Sequence, residues 1–387
     1  MGRIRIRIGA RSALAAALVS LLCGCGEIAP SIPPANDWTV PATAGHPAGT
    51  AVPPGTTADV IPVRRVSAAR RALNASLGIQ VYWDSTGTRA EMAADANRIF
   101  NYVVGLGANS VGINFFFYTD GVYPTRVYGV RGGTPSPATI GMVIASARRH
   151  GLRVLVRPLL NEKNIVDDRG DWRGSIEPPS VIGWFHSYWE FLKPYFAAAQ
   201  RSGAAGFNVG SELDSLAPDT QEWTAFEAAA AKLFTGQLEY AVNYGRWQED
   251  PAYEPVPDAG VDAWPQLGLG DSASVRELTA AWVSWLHSQP ESVLRRTVLQ
   301  EVGIAAVSGA YREPAMPAPG GATLDVAIQD KWFAAACAAA KQTRMAGIYF
   351  YDVNSTDRPA SAVGYSAGSF IGRGDRVIET CFAAGWH

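Results

Sequence analysis

Eight short apolar runs alternate with longer stretches of helical period, several of these stretches close on glycine, and no G-x-G-x-x-G turn follows the first run. Together these features predict one α/β domain built as a closed (β/α)8, or TIM, barrel. Alternating strand and helix asks for a parallel sheet. Eight repeats fit a closed barrel better than an open doubly wound sheet, which usually has fewer strands and a glycine-rich phosphate loop after the first.

The elements follow in order. Residues 1–24 hold a basic "MGRIRIRIGAR", an apolar "SALAAALVSLL" too short to span a membrane in the mature chain, and then "LCGCG", the pattern of an export signal. Leu22, Cys23, Gly24 and Cys25 resemble a bacterial lipobox, which makes Cys25 the lipidated residue. Arginine replaces lysine almost throughout and alanine is abundant, as in a GC-rich genome. The expectation is an exported bacterial lipoprotein, held on the extracytoplasmic side at the cell surface or in the periplasm. Residues 25–67, rich in Pro, Ala, Gly and Thr, have the composition of a flexible tether, and residues 68–387 form the barrel domain.

The expected strands are "LGIQVYW" (Leu77 to Trp83), "NSVGINFFFY" (Asn109 to Tyr118), "LRVLVRP" (Leu152 to Pro158) and "AGFNVGSE" (Ala205 to Glu212). They continue with "QLEYAVNY" (Gln237 to Tyr244), "AGVDAWPQL" (Ala259 to Leu267), "RTVLQEVG" (Arg296 to Gly303) and "AGIYFYDVN" (Ala346 to Asn354). Amphipathic stretches such as "TRAEMAADANRIFNYVVGLG" and "SVRELTAAWVSWLHS" lie between them.

At 387 residues, 48% of them hydrophobic, the chain can bury a large core, and a net charge of −2 gives no basic footprint for nucleic acid. An oxidising compartment permits a disulfide between Cys337 and Cys381; equally, Cys337 suits the Ala-rich helix "WFAAACAAA" as a small buried residue. No C-x-x-C or His-cluster spacing supports a metal, and none is expected.

A barrel of this kind works at the C-terminal ends of its strands. Those ends carry Trp83 and Asp84, Tyr118 and Asp120, Arg157, Glu212, Asn243 and Tyr244, Trp264, Glu301, and Asp352 with Asn354. Carboxylates, amides, an arginine and aromatics at one mouth suit a carbohydrate. Glu212 ends the fourth expected strand and Glu301 the seventh. Retaining glycoside hydrolysis uses two carboxyl groups about 5 Å apart, one attacking the anomeric carbon and the other serving as acid and then base. A single Glu at a strand end is more often a cap neighbour or an ion-pair partner; two on these strands favour catalysis. Asp84 and Asp214 read as helix caps. Arg157 either balances nearby acids or depresses the nucleophile's pKa. Trp83 and Trp264 are expected to stack on sugar, and Tyr349 and Tyr351 are either core or sugar contacts. His150, His186 and His287 read as surface or packing residues.

The segments "GIQVYWDS", "GANSVGINFFFY", "LRVLVRPLL", "FNVGSELDSL", "LEYAVNY", "GVDAWPQLGL" and "VLQEVGI" resemble, in order and strand position, glycoside hydrolase family 113, retaining endo-β-1,4-mannanases of the large clan of (β/α)8 glycosidases. The resemblance covers most of Leu77 to Asn354. It implies Glu212 as acid/base, Glu301 as nucleophile, Asn243 and Tyr244 as sugar contacts and Trp83 near the reacting subsite. With these, Arg157, Trp264, Tyr349, Tyr351 and Asp352 complete the expected substrate-binding set. The sequence departs from the wider pattern at Ser211, where much of the clan has Asn, at Leu159 after "RP", and in an eighth strand that offers tyrosines in place of Trp.

The expected activity is thus hydrolysis of a polysaccharide or oligosaccharide, β-mannan first, by a monomer with no cofactor and no nucleic-acid partner. Two alternatives stand beside it: a hydrolase or transglycosylase of the same clan acting on a cell-envelope glycan, and a non-catalytic glycan-binding lipoprotein. Among the long connections, the third, with Trp172, Arg169 and Arg173, is either a wall of the donor subsites or a solvated loop ordered by its own Asp–Arg pairs.

Overall fold

The computed structural model describes residues 62–84, 86–166, 170–249, 260–358, 370–383 and 385–386. The expected export signal, Cys25, most of the expected tether and Arg169 lie outside the described residues. The strands are β1 (Ser76–Tyr82), β2 (Ser110–Thr119), β3 (Val127–Tyr128), β4 (Arg153–Leu160), β5 (Gly206–Ser211), β6 (Gln237–Asn243), β7 (Gly260–Asp262), β8 (Val298–Val302) and β9 (Gly347–Asn354). All but β3 run parallel in the order β1-β2-β4-β5-β6-β7-β8-β9, and β9 pairs with β1 to close an eight-stranded barrel. The two-residue β3 is an antiparallel addition to β2.

Each expected strand is present, most with ends moved by one or two residues. The sixth differs most. β7 stops at Asp262, although Ala263 N–H still donates to Glu301 O at 2.8 Å. Pro265 has no N–H to extend a ladder, so the chain leaves the sheet at Trp264. β4 errs the other way: register with β2 continues through Leu159 and Leu160, which puts Arg157 inside the strand and not at its end.

Strand periodicity sends alternate residues to opposite faces. The outward set, including Ile79, Val81, Val111, Ile113, Phe115, Val209 and Ile348, makes the core between barrel and helices. Trp83 belongs to it: only 2% exposed, it lies 5.9 Å from Phe100 of the helix Arg89–Gly105. It is therefore core and not a sugar platform. The inward set is largely polar in place of the usual aliphatic layers. Asn114 Nδ2 donates to Gln80 Oε1 (3.0 Å), Asn208 Nδ2 to Gln300 Oε1 (2.9 Å) and Gln300 Nε2 to Glu239 Oε2 (2.6 Å). Glycines make the room: a Cβ on Gly112 would meet Gln80, and one on Gly78 would meet the Tyr349 ring at 2.2 Å. Tyr349 thus fills the floor of the barrel, where Glu239 and Arg153 are its charged neighbours, and does not reach the mouth.

The helices begin where the sequence supplies caps. Thr88 and Glu91 form a capping box, Ser274 and Glu277 another, and Ser136 caps a helix with Pro137 in its first turn. Asp84 instead accepts from Thr86 in a local turn, and Asp214 lies five residues ahead of Asp219, which occupies the N-cap of the helix Thr220–Ala230. His150 is buried, its Nδ1 against Ser146 O at 2.9 Å. Cys337 and Cys381 are joined in a disulfide that ties the helix Val326–Gln342 to the C-terminal helix Asp375–Ala383.

Candidate active site

At the end of β5 the backbone of Glu212 turns into the left-handed region, φ 54°, while its N–H still donates to Ala241 O on β6 at 2.9 Å. A non-glycine residue held there costs about 1–3 kcal/mol, and the turn aims the carboxyl group into the mouth. Asn243, last in β6, orients it: Asn243 Oδ1 accepts from Gly245 N–H at 2.8 Å, so its NH2 faces Glu212 Oε1, at 2.7 Å. Arg173 Nη1 stands 3.8 Å from the other oxygen. Burial pushes the Glu212 carboxyl up to about 7; Arg173 opposes this, Glu301 adds to it and the Asn243 hydrogen bond opposes it.

Glu301, one residue before the end of β8, is held differently. Its Oε1 accepts from Arg157 Nη1 at 2.9 Å and its Oε2 from the indole N–H of Trp264 at 3.0 Å. Both of its oxygens thus accept from N–H groups. Arg157 is fully buried; its Nη2 reaches both oxygens of Asp262 at 2.9 Å and Ser211 Oγ at 3.2 Å. Burial alone would lower Arg157, but Asp262 and Glu301 carry it above its ordinary value. Enclosed by protein partners, Arg157 supports Glu301 and is not positioned as a sugar contact.

Asp262 escaped the sequence reading because the strand was drawn on to Leu267, with Trp264 taken for its mouth end; with the strand ended at Asp262, that residue sits beside Glu301 in register. Burial pushes its carboxyl well up while Arg157 opposes. Tyr82 escaped for a similar reason. It precedes Trp83 and therefore takes the opposite, inward face, where its hydroxyl lies 2.6 Å from that of Tyr351 and its ring stacks on Phe116 at 5.2 Å. Tyr351 meets Trp264 edge to face at 5.2 Å. These rings form the aromatic side of the mouth.

Burial raises Asp352 to about 7, with Asp357 and Glu301 adding to it. Tyr244, at the start of the helix Tyr244–Glu249, is raised by burial and by Glu212. In the third connection, Arg173 Nε and N–H both donate to Glu162 Oε1, at 2.9 and 3.2 Å. That pair orders the loop from within, and the same guanidinium reaches Glu212. Of the expected site residues, Glu212, Glu301, Asn243, Tyr244, Trp264, Tyr351 and Asp352 gather at the mouth with Arg157 beneath them, whereas Trp83 and Tyr349 lie elsewhere. One carboxylate faced by two N–H donors and another that keeps its proton near neutrality can together attack and protonate a bound polar substrate.

The profile of Glycoside Hydrolase Family 113 matches residues 81–365. Among solved structures, the fold is similar to a family 113 β-1,4-mannanase described as a complex (TM-score 0.66, 16% identity, 80% of this chain and 99% of that one). It is also similar to the family 113 β-mannanase from Alicyclobacillus acidocaldarius in complex with ManMIm (TM-score 0.64, 20% identity, 81% and 99%). Identities this low speak for the fold. Among curated proteins, none matches the chain.

Proposed function

The chain belongs to glycoside hydrolase family 113 and is a glycoside hydrolase, and we propose that it cleaves β-1,4-linked mannan internally and with retention, Glu301 serving as nucleophile and Glu212 as acid/base. One observation carries this reading: the two mouth carboxylates are treated oppositely. Glu301 is faced by a guanidinium and an indole N–H, while burial keeps a proton on Glu212 up to about pH 7. A nucleophile must be ionised and a general acid protonated at the same pH.

In the first step a Glu301 oxygen bonds to the anomeric carbon as the bond to the leaving oxygen breaks, and that oxygen takes the Glu212 proton. In the second, water gives a proton to the Glu212 carboxylate while its oxygen attacks the anomeric carbon, and Glu301 departs as carboxylate. Arg157 and Trp264 each hold one Glu301 oxygen in place, and Arg173 stabilises Glu212 in the interval when it is ionised. Asn243, Tyr244, Trp264, Tyr351 and Asp352 surround the sugar. The steps call for no metal or organic cofactor. We assign the enzyme to the extracytoplasmic side of a bacterial membrane, anchored through Cys25, from the signal and lipobox of its first residues.

The test is hydrolysis of β-mannan and a panel of other polysaccharides, with the product anomer followed by proton NMR. Cleavage of β-mannan with the β-anomer appearing first, and loss of about 1,000-fold or more in rate in both Glu301→Gln and Glu212→Gln, are expected. An α-anomer as first product, or full activity in either variant, would refute the mechanism. Preference for another polymer would move the enzyme to a different substrate within the clan.

A further inference from the structure

The N-terminal ends of the strands form the face opposite the mouth, and this face carries a cavity of about 550 Å³ lined by residues that include Asn74, Arg295, Lys341, Arg344, Met345 and Trp386. Its place follows from chain order: Asn74 precedes β1, Arg295 precedes β8, and Lys341 to Met345 lead into β9. The walls are braced. Lys341 belongs to the helix Val326–Gln342, Trp386 follows the helix Asp375–Ala383, and the Cys337–Cys381 disulfide joins the two. The Trp386 indole N–H donates to Cys381 O at 2.9 Å, and Lys341 Nζ lies 5.6 Å from the centre of the Trp386 ring.

Among the described residues the cavity lining carries no carboxylate. Arg295 pairs with Glu291 at 2.5 Å, but among the described residues neither Lys341 nor Arg344 has a carboxylate within ion-pair distance, nor does Arg70, which donates to Ala383 O at 3.1 Å. Burial and the Arg70 charge both lower Lys341, and no acid offsets them. Cations at a helix C-terminus are ordinary, which accounts for Lys341 but not for Arg295 and Arg344 lining the same cavity. Arg344 adds a second sign. Its φ of 57° lies where glycine or asparagine would be relaxed, yet the position carries an arginine.

We infer that this cavity binds a phosphate group carried on an organic body, the phosphate between Lys341 and Arg344 and the body against Trp386 and Met345. The source favoured by the fold is the headgroup of an anionic phospholipid. Val66 N–H donates to His150 O at 2.8 Å and Arg64 N–H to Asn101 Oδ1 at 2.6 Å, so the chain enters the barrel at this face. A lipid anchor upstream of this point would tether the chain from the cavity's side of the barrel. The binding claim stands whether or not the hydrolase reading does, because the two sites occupy opposite ends of the barrel.

The experiment uses the full chain with Cys25→Ser, so that no acyl group contributes. Wild type, the double variant Lys341→Gln/Arg344→Asn and a charge-matched control at the other end, Arg89→Gln/Arg126→Gln, are sedimented with vesicles of phosphatidylglycerol and phosphatidylcholine and with vesicles of phosphatidylcholine alone. Each is also titrated with glycerol 3-phosphate, and melting curves confirm folding; asparagine suits the left-handed backbone at 344. Binding to the anionic vesicles is expected to weaken about 25-fold in the double variant, roughly fivefold for each cation removed, and to hold in the control. Vesicle binding that glycerol 3-phosphate does not compete with identifies the bilayer headgroup; equal affinity for glycerol 3-phosphate in solution, lost in the same variant, identifies a soluble phosphoester. Undiminished binding in the double variant, equal loss in the control, or no binding of either anion by wild type would overturn the inference.

Discussion

Glu212 is governed by its immediate neighbours. Its proton is retained by burial and by the nearby Glu301, against Arg173 and Asn243. If it is the general acid, kcat/KM for mannan falls as pH rises through about 7, because the acid form is lost there. Removing the opposing cation has a definite sign: Arg173→Gln favours protonated Glu212, so the alkaline limb moves up, while the second step, which needs Glu212 ionised, slows. We expect kcat to fall about 10-fold or more, with the limb displaced upward, in pH profiles measured on mannan. A limb that stays in place would show that Arg173 serves only to order its loop through Glu162. The carboxylates themselves were legible in the sequence, because a Glu ending an apolar run is anomalous by burial cost alone. Asp262 and Arg173 were not legible in the same way. Their significance arises from contacts across residues distant in sequence, Arg157 with Asp262 and Arg173 with Glu212, which periodicity does not record.

The strands show what a pattern can and cannot specify. Eight were legible because buried parallel strands read as near-continuous apolar runs, but such runs hide which residues face inward. Trp83 and Tyr82 are adjacent and equally aromatic, and only the pleat separates core from mouth. The two positions therefore predict opposite behaviour. Trp83→Ala empties a packed site between β1 and its helix and should cost about 3–5 kcal/mol in chemical denaturation, with kcat of the remaining folded enzyme near wild type. Tyr82→Phe removes one hydroxyl from the Tyr82–Tyr351 pair beside Glu301 and should lower kcat/KM several-fold, with a stability change within about 1 kcal/mol. Should Trp83→Ala abolish turnover in folded protein while Tyr82→Phe leaves it intact, the assignment of faces to core and mouth is wrong.

Over the whole molecule, the site's carboxylates also set how the fold responds to pH. Burial is the leading cause that raises Glu212 and Asp352 to about 7 and Asp214 to about 6. In the unfolded chain the same groups titrate near their ordinary values, around 4. Between those limits the native state binds more protons than the unfolded state, so stability falls as pH rises. The contribution is complete below about pH 4, is lost as pH passes through 6 to 7, and changes little beyond. Opposing groups act on the acid side. Burial lowers His150, and hydrogen bonds from the caps lower Glu91 and Glu277, so their support weakens as acid is added. The melting temperature should therefore peak on the mildly acid side and decline towards pH 8. At about 1.4 kcal/mol for each unit of pKa difference, each raised carboxylate accounts for a change on the order of a few kcal/mol. Glu212→Gln and Asp352→Asn should each flatten the decline and melt above wild type at about pH 8, although Glu212→Gln destroys catalysis. Melting curves across the pH range decide this: if wild type and both variants decline in parallel, the buried site is not the source of the dependence. If the variants flatten, the same desolvation that gives Glu212 its proton is what the barrel gives up in stability to hold a working mouth.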